Sequence, residues 1–71
     1  MAESVYKVIE LVGTSHESWE KAAAAAIEQA SQTLRDIRVA RIVEQDIHVE
    51  PGKSLVYRVK MELSFKYEGG G

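Results

Sequence analysis

Hydrophobic and polar positions divide the chain into four stretches of different period. Over residues 4–13, Val5, Tyr6, Val8, Ile9, Leu11 and Val12 form a β-branched and aromatic run with Lys7 and Glu10 between them. This predicts a strand at least partly covered on both faces. Gly13-Thr14-Ser15-His16-Glu17 then reads as a turn into a helix. Thr14 or Ser15 offers an oxygen to free backbone N–H groups, and Thr14-x-x-Glu17 has capping-box spacing, which sets the helix start near His16. Residues 17–34 contain five consecutive alanines and no glycine or proline, a helix-forming composition. Trp19, Ala23, Ala26, Ala30 and Leu34, with Ile27 beside them, mark one buried stripe.

Beyond Arg35 the period changes from 3.6 to 2. Ile37, Val39, Val43, Ile47 and Val49 share one parity with Arg41 and Gln45. Arg38, Glu44, Asp46, His48 and Glu50 share the other with Ala40 and Ile42. A strand this long predicts a bend or bulge. Glu50-Pro51-Gly52-Lys53 is a turn signature, because proline presets its φ and glycine tolerates a positive one. In the third strand Leu55, Tyr57, Val59, Met61, Leu63, Phe65 and Tyr67 alternate with Val56, Arg58, Lys60, Glu62, Ser64, Lys66 and Glu68. One face is therefore a core face. The final Gly69-Gly70-Gly71 carries no packing content and is expected to fray. The order strand, helix, strand, strand implies an α+β domain ordered over about 4–68, in which a long antiparallel hairpin outruns a single helix.

The 71 residues make one domain at most, since a chain of this size buries only about 60% of its unfolded surface. It has no cysteine, so neither disulfides nor thiolate-bound metal can supply the missing stability. Oligomerisation is the remaining route, and it agrees with the exposed strand edges. Nine basic residues against eleven acidic ones give a net charge of −2, without the basic excess that neutralises phosphates, so nucleic acid is excluded as an expected partner. The longest apolar run, 22–27, is six residues, against roughly twenty for a membrane span. No charged n-region precedes an apolar h-region. A soluble cytoplasmic chain is the expectation.

Val5-Tyr6-Lys7-Val8-Ile9-Glu10-Leu11-Val12-Gly13-Thr14-Ser15, the tryptophan-bearing alanine-rich helix, Val43-Glu44-Gln45-Asp46 and Ser64-Phe65-Lys66-Tyr67-Glu68 together resemble the dodecins. The resemblance implies a β-α-β-β fold whose three-stranded antiparallel sheet half-wraps the helix, and a hollow homododecamer. It also implies storage or protection of a small ligand rather than turnover. The best known members bind flavins in stacked pairs at subunit interfaces, and some bind coenzyme A. Flavin binders carry a tryptophan just after the helix, where this chain has Val39, and a glutamine in the third strand, where it has Arg58. Valine offers no planar face, and by analogy with bases on aromatic side chains the lost stack is worth ~1–3 kcal/mol per ring. Arg58 donates but cannot accept from the ring N–H. A flavin or nucleotide pocket here would use Val39, Gln45, Arg58 and Lys66, with Lys66 meeting a phosphate as the resemblance implies. The block Ile37-Arg38-Val39-Ala40-Arg41-Ile42-Val43-Glu44-Gln45-Asp46 is instead similar to a branch of the family described as calcium-binding.

Calcium takes about six to eight hard oxygen ligands. Glu44 and Asp46 lie two apart on one strand and so project from one face. A three-fold axis beside that face would gather six carboxylates, which repel unless a cation or protons intervene. Glu17 is a third candidate ligand, because flavin-binding relatives place acidic residues of this type near ion sites. The structural alternatives are Glu17 as a cap, and Glu44 and Asp46 as partners of Arg38, Arg41 or Lys60. Trp19 reads as a core anchor. His16 and His48 form no ligand pair, and Ser15, Ser18, Ser31, Ser54 and Ser64 have neither G-x-S-x-G context nor an adjacent base. An enzyme is not expected. Lys7, Arg58, Lys60 and Lys66 form a basic strip that keeps phosphate or coenzyme A binding in play. Calcium or another divalent cation is the favoured ligand. Flavin or coenzyme A in a modified pocket is the alternative, and a structural shell holding another ligand is a third reading.

Overall fold

The computed structural model describes residues 3–67; Glu68 and the glycine tail 69–71 lie outside the described residues. The chain runs β1 (Tyr6–Ser15), α1 (Trp19–Ser31), β2 (Ile37–His48) and β3 (Val56–Lys66). They form one antiparallel sheet in the order β1-β3-β2, with α1 on one face. The strand with the strictest alternation, β3, is central. Its odd-numbered Val59, Met61 and Leu63 are buried with Ala22, Ala26 and Ala30 of α1, while Ile9, Leu11, Trp19, Ile27 and Ile37 pack around them. Pro51 and Gly52 close the hairpin: Lys53 N–H donates to the Glu50 carbonyl at 3.1 Å, and Gly52 takes φ +79°, the geometry a Pro-Gly turn supplies.

The helix begins three residues later than expected and ends at Ser31 rather than near Leu34. Thr14 and Ser15 are not available to cap it, because they continue β1 opposite Arg58 and Tyr57. The cap is Ser18, in extended backbone, whose Oγ accepts the Lys21 N–H at 3.0 Å. Ser15 Oγ accepts the Glu17 N–H at 3.0 Å and so fixes the connecting turn. At the far end the Leu34 N–H closes on the Ala30 carbonyl at 2.9 Å. Asp36 then adopts φ +59° and turns the chain into β2; aspartate tolerates this left-handed region better than most residues.

The expected bulge in β2 is present, as two register slips, between Ile37 and Val39 and between Ile42 and Glu44. Each slip exchanges the faces of the residues beyond it. Strict parity therefore fails as a guide to β2. Ile37, Ala40, Ile42, Gln45 and Ile47 lie opposite helix-side residues of β3, whereas Val39, Arg41, Glu44, Asp46 and His48 lie opposite outer-face ones. Ala40 and Ile42 do not share a face with Glu44 and Asp46.

Among the described residues no second layer covers the outer face. Val8 and Val12 of β1 are 55% and 61% exposed, against the expectation of cover on both faces, because the one helix lies on the other side.

Candidate functional site

The hairpin turn sets the chemistry of the outer face. Counting outward from Gly52, six residues each way pairs Asp46 with Arg58, and eight pairs Glu44 with Lys60; both pairings are observed. Arg58 forks onto Asp46, Nε donating to Oδ1 and a terminal NH₂ to Oδ2, each at 2.7 Å. Such a bidentate guanidinium–carboxylate pair is the most directional of side-chain ion pairs. The Arg58 hydrogen bonds, followed by its charge, hold the Asp46 carboxyl below its ordinary 3.8, and Asp46 in turn raises Arg58.

Next along the face, Lys60 leans toward Glu10 of β1 at 3.9 Å, not toward Glu44. Arg41 reaches Glu62 at 2.7 Å. Among the described residues Glu44 forms no ion pair. Glu44, Asp46, Arg58, Lys60 and Val12 line a shallow depression of about 180 Å³. The helix also touches this site from behind: the Trp19 indole N–H donates to the Asp46 carbonyl at 3.0 Å, and its ring meets Tyr57 edge-on with centroids 5.3 Å apart. Trp19 thus packs against the core as expected and also fixes the backbone that presents Asp46.

Of the residues singled out from sequence, Glu44 and Asp46 come together. Glu17 does not join them. It sits at the turn before α1 and pairs with Lys21, whose hydrogen bond and charge lower its carboxyl below the ordinary 4.5. The flavin set is dispersed in one chain. Val39 lies opposite Ser64 on the outer face, Gln45 opposite Val59 on the helix side, and Lys66 opposite Tyr6. Arg58 and Lys66 share a face but stand eight residues apart on β3, roughly 27 Å at strand rise. Arg58, rather than Arg38, Arg41 or Lys60, is the partner of Asp46, and the count from the turn is the signal in the sequence that identifies it.

The donor set tests what the depression can hold. Two carboxylates bring at most four oxygens, against about six to eight around calcium. Among the described residues no group of three His, Cys, Asp or Glu side chains gathers closely enough to hold a metal. One chain therefore brings two carboxylates to this depression, too few oxygens to complete a calcium shell by itself.

A sequence model of the family "Dodecin" matches residues 5–68. A calcium dodecin from Mycobacterium tuberculosis is 54% identical over 63 residues, 89% of each chain. Its crystal structure, described as calcium-chelating with a novel calcium-binding site, superposes with a TM-score of 0.85 over 96% of this chain and 97% of that one, at 50% identity. A dodecin from Thermus thermophilus is 38% identical over 64 residues, 90% of this chain and 93% of its own. The dodecin of Streptomyces coelicolor aligns over 99% of this chain and 100% of that one, with TM-score 0.89 and 31% identity.

Proposed function

The chain belongs to the dodecin family, and on that premise we propose that it is a non-enzymatic, self-assembling binder of divalent cations, calcium first. Glu44 and Asp46 are its carboxylate ligands, and its setting is the cytoplasm. The observation that supports this most directly is the second slip in β2, which turns Glu44 and Asp46 together onto the outer face as a half-site. The likeness to a calcium dodecin supports the choice of ion. Assembly as a homododecamer brings half-sites from neighbouring copies together. Carboxylates so gathered repel one another, and a bound cation relieves the repulsion. Glu17, engaged by Lys21, serves as a ligand only where assembly carries it to another copy's site.

The flavin reading has less support. Val39 presents no aromatic face, and the Arg58 guanidinium is engaged by Asp46. Coenzyme A binding would rest on Lys66 and the basic strip, of which Arg58 and Lys60 line the depression while Lys66 stands eight residues beyond Arg58 on β3.

The test is calcium titration followed by calorimetry and thermal melting. A ligand that binds only the folded assembly stabilises it by about 2.7 kcal/mol per site at a hundredfold excess over Kd. The parent protein is expected to melt higher with calcium, and Glu44→Gln combined with Asp46→Asn to abolish the rise. An unchanged calcium response in the double variant removes these ligands, and quenching of added riboflavin at micromolar protein would favour the flavin reading.

A further inference from the structure

We propose that Arg58 is the built-in counter-cation of the Asp46 carboxylate, which a divalent ion displaces on binding, so that Arg58 sets the threshold and the charge selectivity of the site. This rests on the cation reading above. Both Asp46 oxygens accept from the Arg58 fork at 2.7 Å. A calcium ion would approach those same oxygens to about 2.3–2.6 Å. Guanidinium and calcium cannot both hold that position, since like charges so close repel. Protonation offers no escape, because arginine remains charged at every pH a protein survives.

The two carboxylates are therefore unequal. Glu44 has no ion pair among the described residues and is open to a cation from the start. Asp46 becomes available only as the guanidinium leaves. Arg58 is free to leave: its side chain is 47% exposed and lies at the rim of a depression open to solvent. The exchange also discriminates by charge. Replacing the guanidinium by a monovalent ion leaves the total charge at Asp46 unchanged and yields no gain. A divalent ion satisfies Asp46 and the unpaired Glu44 together. Lys60 lies opposite Glu44 and lines the same depression, but its ammonium comes within 3.9 Å of Glu10 and makes no ion pair with Glu44.

Three arms test the displacement. Calorimetric titration of calcium into Arg58→Gln is expected to show a dissociation constant about two to five times lower than the parent's, the scale of a partly exposed ion pair. Arg58→Lys, which keeps the charge but loses the fork, is expected to fall between. In calcium-free and calcium-soaked crystals of the parent protein, the guanidinium should sit on Asp46 in the first and off it in the second. That comparison decides the matter even if the variants fail to fold. Equal or weaker calcium affinity in folded Arg58→Gln, or an Arg58 fork retained beside bound calcium, overturns the proposal while leaving the cation reading in place. A parent protein that takes up no calcium overturns both.

Discussion

Asp46 is held from two sides: Arg58 grips its carboxylate, and the Trp19 indole N–H holds its carbonyl. The first contact makes the residue's titration a direct report on the pair. Hydrogen bonds from Arg58 favour the ionised form, so the folded pKa lies below the ordinary 3.8. A carboxyl depressed in this way contributes stability that is fully present above its unfolded value and lost as pH falls through the folded one. The pair is therefore intact from neutrality down to about pH 3.8 and weakens only below it. Carboxyl-carbon NMR on the calcium-free protein should place the Asp46 midpoint under 3.8, and Arg58→Gln should return it toward that value. A parent midpoint at or above 3.8 would mean that the fork does not persist in solution.

At the scale of elements, β1 and α1 approach one another closely at Gly13. A Cβ built on Gly13 would lie 2.2 Å from the Ala22 carbonyl oxygen and 3.0 Å from the Ala26 Cβ. The obstacle is helix backbone, which cannot swing aside as a flexible side chain would. Gly13→Ala must separate strand and helix, and overpacking of this kind costs typically ~1–3 kcal/mol. Thermal melting should show a lower midpoint, and an unchanged one would place the helix farther from the strand. The alanines that permit this contact also obscured its phase. Five identical side chains in a row carry no periodic signal, so the stripe through Ala23 was one position from the buried Ala22, though Ala26 and Ala30 were legible. Strand β3 was legible throughout, because a central strand packed on one side must alternate. Strand β2 was not. A bulge adds a residue without leaving a mark in composition, and the slip between Ile42 and Glu44 puts Ala40 and Ile42 on the opposite face from Glu44, which strict parity would have them share. The candidate ligands were readable because Glu44 and Asp46 lie on the same side of both slips. Their guanidinium partner required the register as well.

At the scale of the whole molecule, the chain is more extended than a compact domain of its length. Its radius of gyration is 14.8 Å and its extents are 56 × 21 × 17 Å, whereas a compact domain of this length has a radius near 11 Å. Among the described residues the buried core amounts to Met61, Leu63 and Val59 with three alanines of the helix. Meanwhile Val5, Val8, Val12, Val39, Ile42 and Val49 are each at least half exposed. Strands β1 and β2 are both sheet edges, and beside β1 an open groove of about 510 Å³, lined by Ile9, Leu11, Ala25, Ala26, Gln29 and Leu34, borders the helix. Burying these surfaces between copies would supply apolar area that the chain cannot bury alone, at about 25 cal/mol per Å². Where copies bury these surfaces in the proposed assembly, folding and assembly are one reaction, and mass action ties the melting temperature to protein concentration. Dilution over two decades should lower the midpoint steadily, and native mass spectrometry should find multiples of the 7.9 kDa chain, twelve if the proposed shell forms. A midpoint independent of concentration together with a mass of one chain would refute coupled assembly. It would also leave the Glu44–Asp46 half-site without a second copy to complete it.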